Sequence, residues 1–190
     1  MIPIPTLKQI AARNHRNEYV CHVYFVYKLA MQLQKRCGGD RRVIAAAALL
    51  HDVGRDRDNR PHEITGMEIA ERELKSLGIK PKIIGQICQT IRAHGVKDVK
   101  PKTIEDKIVA SADGAAKILY APLFGLLSRK EPHEKPAWLL KYIERGYRKI
   151  CIPKFKKEIG PQYRLMKHLY QESVREERLL QKSMAALRET

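Results

Sequence analysis

RRVIAAAALLHDVGR, residues 41–55, decides the fold. From Val43 to Leu50 it is apolar without interruption, and it is apolar on every side of a helical wheel, as expected of a helix enclosed by others. Gly54 ends it, and immediately before that glycine stand a histidine and an aspartate, His51 and Asp52. The stretch from Arg41 to about Asp52 therefore reads as a central core helix whose end carries polar groups into the interior.

Working outward, the same punctuation recurs. A helix from about Asn17 to Arg36 stops at Gly38 and Gly39, and its apolar positions cover more than half its circumference. Beyond the core helix, RDRDNRP reads as a loop. A helix then starts near His62 and ends at Gly78, and the next opens at Pro81 and closes at Gly95, following the preference for proline first and glycine last. Thr103 and Asp106 have the spacing of a capping box for a helix through about Leu119. Two more helical stretches follow Pro122, roughly Lys135 to Ile150 and Gln162 to Arg188. CIPKFKKEIGP between them, with two prolines, a glycine and three lysines, reads as a connector. Strand signals are nearly absent, so the expected class is all-α. The expected organisation is a helical domain over residues 1–120 and a basic helical extension over 121–190, packed on the same domain.

Composition narrows the functional classes. Of the 190 residues 44% are hydrophobic, enough for a real core, yet no run approaches the ~20 apolar residues of a membrane helix. The opening MIPIPTLKQIAARNHR lacks the apolar stretch of a secretory signal, so the expected location is cytoplasmic. Cys21, Cys37, Cys88 and Cys151 make no CxxC pair and support neither a disulfide framework nor a cysteine zinc site. Cys21 and Cys88 fall inside helices, where a free cysteine is expected in the core. Lysine and arginine outnumber aspartate and glutamate 37 to 21, a net charge of +16. Such an excess attracts polyanions. The densest late cluster is Lys154, Lys156 and Lys157. Charge of this kind supplies only sequence-independent attraction, so specific nucleic-acid binding is not the favoured expectation.

The histidines carry more information. His22 continues the stripe Val26, Leu29, Leu33; His62 leads Gly66, Ile69 and Ala70; His94 follows Ile84, Ile87 and Ile91. Asp113 lies four residues after Val109, again on an apolar face. With His51 and Asp52, six imidazole or carboxylate groups are directed inward from five helices. His15, His133 and His168 lack such a setting; His168 shares its face with Arg164, Glu172 and Arg175. A buried carboxylate needs a compensating partner, and a divalent ion provides one. Imidazole with carboxylate suits iron, manganese, zinc or nickel.

The order His22, LLHDVGR (Leu49 to Arg55), PHEITGMEIA (Pro61 to Ala70), IRAHG (Ile91 to Gly95) and SAD (Ser111 to Asp113) resembles the HD-domain superfamily of metal-dependent phosphohydrolases, over about Asn17 to Leu119. The resemblance implies an HD-type helical bundle with one or two divalent ions (iron, manganese, nickel, zinc or magnesium). It implies that His22, His51, Asp52 and Asp113 hold the first. His62 and His94 would hold a second, bridged by Asp52. Two positions depart from the family's habit: Gly114 stands where a basic residue often follows the last aspartate, and Ser111 where an acidic residue often precedes it by two. The implied activity is hydrolysis of a phosphate ester of a nucleotide or similar small phosphorylated metabolite. Asp52 and Arg55 are the expected catalytic residues, Arg55 on the substrate phosphate. Asp56 or Asp58 is a candidate proton donor. Two alternatives stay open: a non-catalytic metal-holding module whose basic surface binds nucleic acid or a protein partner, and an oxygenase using an iron pair.

Overall fold

A computed structural model describes residues 2–14, 17–55, 59–96 and 99–188. Every regular element among them is helical: α1 (Ile4–Asn14), α2 (Asn17–Cys37), α3 (Arg41–Leu50), α4 (His62–Ser76), α5 (Pro81–Ala93), α6 (Ile104–Leu119), α7 (Ala121–Leu127), α8 (Lys135–Lys149) and α9 (Pro153–Arg188), with one 3-10 turn at Pro132–Glu134. The expected all-α class is what the chain adopts. Helices α1 and α7 were not anticipated; α1 buries Leu7, Ile10 and Ala11 against its neighbours.

Helix α3 is the axle. All eight residues from Val43 to Leu50 are buried, and α1, α2, α5 and α6 surround it. Its start is fixed by Asp40, whose side chain accepts from the Arg42 backbone N–H. The anticipated capping box opens α6: Thr103 accepts from the Asp106 N–H while the Asp106 side chain accepts from Thr103. Asp106 also accepts from the buried Thr90 hydroxyl at 2.9 Å, tying α6 to α5. The His22 stripe faces the core, with Val26, Leu29 and Leu33 all buried. Cys88 is buried, whereas Cys21 is half-buried rather than in the core, and all four cysteines are free.

One expectation fails. Residues 151–161 are not a connector: α9 begins at Pro153 and runs unbroken to Arg188, with Pro161 inside it. Pro153 opens the helix, where its missing N–H is no loss. Pro161 does remove an interior hydrogen bond, but it sits on the exposed side. The opposite side buries Phe155, Ile159 and Met166, and Tyr163 stacks on Tyr147 of α8 with centroids 4.1 Å apart. Packing on one face outweighs one bond on the other.

Helix α8 lies unusually close to α6. A Cβ on Gly114 would sit 2.4 Å from the Gly146 carbonyl oxygen, and one on Gly146 would sit 2.6 Å from that of Gly114. The absent basic residue after Asp113 is thereby explained, because no side chain fits at 114. Ser111 is engaged by the backbone instead. Its hydroxyl accepts the Cys151 and Ile152 N–H groups at 2.9 and 3.2 Å, satisfying the corner between α8 and α9. Both departures from the family's pattern follow from the docking of α8 and α9 onto α6.

Gly146→Ala is therefore expected to lower unfolding stability by about 1–3 kcal/mol, the usual cost of overpacking. Gly85→Ala, on an exposed helical site with nothing within 4 Å, is expected to raise it by about 0.5–1 kcal/mol. Urea titration of the two variants checks both signs; equal effects contradict the close crossing.

Candidate metal centre

The end of α3 is a turn, closed by Val53 N–H to Leu50 O at 3.2 Å and Arg55 N–H to Asp52 O at 2.9 Å. Gly54 lets the next helix start against it. A Cβ there would come within 2.3 Å of the Gly66 nitrogen and 2.4 Å of the His62 carbonyl oxygen. The glycine two residues after Asp52 thus brings the first turn of α4, and His62 with it, beside the Asp52 carboxylate. Gly95 does the same at the end of α5, where a Cβ would meet Glu63 Oε1 at 2.4 Å.

All six anticipated side chains converge. His22 Nε2 lies 3.1 Å from Asp113 Oδ1 and 3.4 Å from His51 Nε2. His51 Nε2 and His22 Nε2 lie 3.6 and 3.8 Å from Asp52 Oδ2. On the other side of the same carboxylate, His62 Nε2 and His94 Nε2 lie 3.2 and 3.6 Å from Asp52 Oδ1. Asp52 therefore stands between two groups of imidazoles.

Tautomers follow from the far side of each ring. His51 Nδ1 is 2.9 Å from the Ala48 carbonyl oxygen, and His94 Nδ1 is 2.6 Å from that of Ile91. His62 Nδ1 is 3.3 Å from Glu63 Oε2. For His51 and His94, Nδ1 carries the proton it donates, which leaves an Nε2 lone pair aimed at the centre. Asp52 Oδ1, His62 Nε2 and His94 Nε2 are buried and have no hydrogen-bond partner. Three buried polar atoms facing one another without a hydrogen bond is an arrangement that a cation resolves. The residues fit a divalent ion on this ground.

The carboxylates are held ionised. Burial alone would raise Asp52, but positive charge beside it, led by the Arg55 guanidinium, outweighs burial and holds the carboxyl well below its usual range. Arg55 reaches inward, with Nε and Nη2 at 3.1 and 2.8 Å from Asp52 Oδ2. Burial of Asp113 is outweighed in the same way by Lys117 and Lys149, with help from His22. Lys117, one turn along α6, bonds Oδ1. Lys149, from the end of α8, bonds Oδ2 at 2.6 Å. Burial pulls the Lys117 ammonium down to about 8. Each carboxylate oxygen has a second lone pair, so these bonds leave Asp113 able to hold a metal.

Three neighbours escaped the sequence reading: Glu63, Lys117 and Lys149. Glu63, directly after His62, is buried and forms with His62 and His94 a third group able to hold an ion. Lys117 had only its i+4 relation to Asp113 as a signal; Lys149 had none within reach of local pattern. His133 and His168 are exposed, as expected. His15 and the candidate proton donors Asp56 and Asp58 lie outside the described residues.

Burial depresses His22 and His94, and His51 further still, below the ordinary imidazole value of 6.5. In metal-free protein these rings stay neutral while the unfolded chain takes up protons as pH falls through 6.5. The unfolded state then binds more protons, so stability is fully present above that value and lost as pH is lowered from 7 to 5. Urea midpoints across this range should fall, less steeply in His51→Gln. A flat profile contradicts the buried neutral rings.

The comparisons with known proteins bear on the family and the fold. The HD domain family model matches residues 19–117, slightly more than half the chain. A tRNA (cytidine(56)-2'-O)-methyltransferase of Picrophilus torridus is 39% identical over 116 residues, covering 55% of this chain and 33% of that protein. A Ribonuclease Y of Rubrobacter xylanophilus is 31% identical over 116 residues, covering 58% of this chain and 21% of that protein. The matched part thus spans a third or less of these curated relatives. A crystal structure of a predicted HD superfamily hydrolase from an uncultured Thermotogales bacterium superposes with a TM-score of 0.56 at 21% identity, covering 74% of this chain and 89% of that one. It shares the fold. With its motifs, helical architecture and family match in agreement, the chain belongs to the HD domain family of metal-dependent phosphohydrolases.

Proposed function

We propose that this protein hydrolyses a phosphate ester of a nucleotide or a related phosphorylated metabolite, using divalent metal held at the centre described above. The observation that carries the reading is the set of orphaned buried polar atoms, Asp52 Oδ1, His62 Nε2 and His94 Nε2. A purely structural cluster would give them hydrogen-bond partners, because an unpaired buried polar group is costly. In the proposed assignment His22, His51, Asp52 and Asp113 hold the first ion, and His62, His94 and the shared Asp52 hold the second. Ions held there would supply an acidified water and charge neutralisation at the phosphoryl oxygens. A water oxygen attacks phosphorus, the ester P–O bond breaks, and the departing oxygen takes a proton.

The chain's own groups prepare that step. Neutral His51 and His94, fixed by their Nδ1 bonds to carbonyls, keep their lone pairs directed inward. Arg55, with 30% of its side chain exposed, stands at the edge of Asp52 and is proposed to meet a phosphoryl oxygen. Phosphoryl transfer relies mainly on such positioning and charge stabilisation. The RNA-linked names of the relatives favour a substrate from nucleotide chemistry. Among the described residues no helix is long and apolar enough to cross a membrane.

Asp52→Ala should lose metal by elemental analysis and turnover with it, after its fold is checked by circular dichroism. His62→Ala should keep the first ion and lose the second, because the second site has fewer protein ligands. Arg55→Gln should lower kcat/KM about 10- to 100-fold, the value of one charge-assisted hydrogen bond. A folded, metal-replete wild type that hydrolyses no ester across a broad panel of phosphate mono- and diesters contradicts the reading.

A further inference from the structure

The exposed flank of α8 is a second feature that the metal centre does not use. Trp138, Lys141, Arg145 and Arg148 line a surface groove of about 270 Å³ together with Glu144. Glu144 is neutralised by Lys167 of α9 at 3.1 Å. Among the described residues none of the three cations Lys141, Arg145 and Arg148 pairs with a carboxylate. Glu144 has the spacing to offset Lys141 or Arg148, but it is taken by Lys167, so their charge is left unbalanced beside a half-buried indole. The indole is not loose: it stacks on Tyr142 with centroids 5.1 Å apart and an interplanar angle of 20°.

The flank also leads somewhere. Tyr142 lies 5.9 Å from the Phe124 ring, which packs 5.5 Å from His22. Lys117 Nζ lies 5.9 Å from the Tyr142 ring. One turn beyond Arg145, Lys149 bonds Asp113. From Trp138 to Lys149 is eleven residues of helix, about 16 Å, so the basic and aromatic side chains form a line ending at the metal centre.

We propose that this flank of α8 binds single-stranded nucleic acid, Trp138 stacking on a base and Lys141, Arg145 and Arg148 holding phosphates, so that the strand is led past Lys149 to Asp113. Resting on the phosphoesterase reading, it extends the substrate from a nucleotide to a strand. The chemistry selects that ligand. A row of cations follows a phosphate backbone, and a rigid aromatic face accepts any unpaired base. A duplex offers base faces only at its ends, and an acidic protein lacks the regular alternation of backbone charge and planar bases that a row of cations beside an indole fits.

Binding is measured by fluorescence anisotropy with the full chain carrying Asp52→Ala, so that association is read without turnover, on a ten-nucleotide RNA, the same sequence as DNA, and its duplex. Both single strands should bind more tightly than the duplex; a difference between RNA and DNA would identify which strand fits. Trp138→Ala should weaken binding about 5- to 150-fold. Replacing Lys141, Arg145 and Arg148 together by glutamine should reduce the slope of log affinity against log salt by about 2, from about 0.7 per phosphate contact. Glutamine at Lys80, Lys82 and Lys100, exposed residues of the α5 region, removes the same charge and should leave the slope largely unchanged. The proposal is overturned if no strand binds, if duplex binds as well as single strand, or if the control triple weakens binding as much as the α8 triple. Hydrolysis of a small phosphate ester by wild type, set beside the binding measurements, separates the two readings. Hydrolysis by wild type with no strand bound defeats only the strand proposal; strand binding without any hydrolysis by wild type defeats only the phosphoesterase reading.

Discussion

Two carboxylates, each about 1% exposed, set the terms for the rest of this molecule. Removing Asp52 and Asp113 from water is unfavourable unless positive charge or donors come with them. The fold supplies part of that compensation itself: Arg55 on one oxygen of Asp52, and Lys117 and Lys149 on the two oxygens of Asp113. It does not supply it everywhere. Asp52 Oδ1 has no hydrogen-bond partner, and His94 beside it is held by the Ile91 carbonyl in the tautomer that cannot donate to it. A cation on that side would complete the electrostatics, and the buried groups around Asp52 could hold one.

Glycines make the convergence possible. The turn after α3 meets the start of α4 backbone to backbone because position 54 lacks a Cβ. The crossing of α6 and α8 depends in the same way on Gly114 and Gly146. The first contact delivers His62 to Asp52; the second delivers Lys149 to Asp113. Helix α8 therefore does more than cover α6, since its end contributes a charge to the centre and its outer flank continues that charge across the surface.

What could be read from the sequence was what is local. An eight-residue apolar run defined α3, one Thr-x-x-Asp box defined the start of α6, and stripes at helical spacing placed His22, His62, His94 and Asp113 on inward faces. What could not be read was contact between distant segments. Lys149 is 36 residues from Asp113, and nothing around it marks it as different from the chain's other lysines. The function of Ser111 depends on a corner 40 residues away. The helix through Pro161 was misread for the same reason: proline is a local signal against helix, and the burial of Phe155, Ile159 and Met166 that overrides it is tertiary.

Crystals of the full chain grown with manganese, with anomalous differences recorded at the manganese edge, test the central claim most directly. The account predicts a peak enclosed by His22, His51, Asp52 and Asp113, and a weaker one by His62, His94 and Asp52 Oδ1. A map with no anomalous density at either place, from protein saturated with the ion in solution, would contradict it.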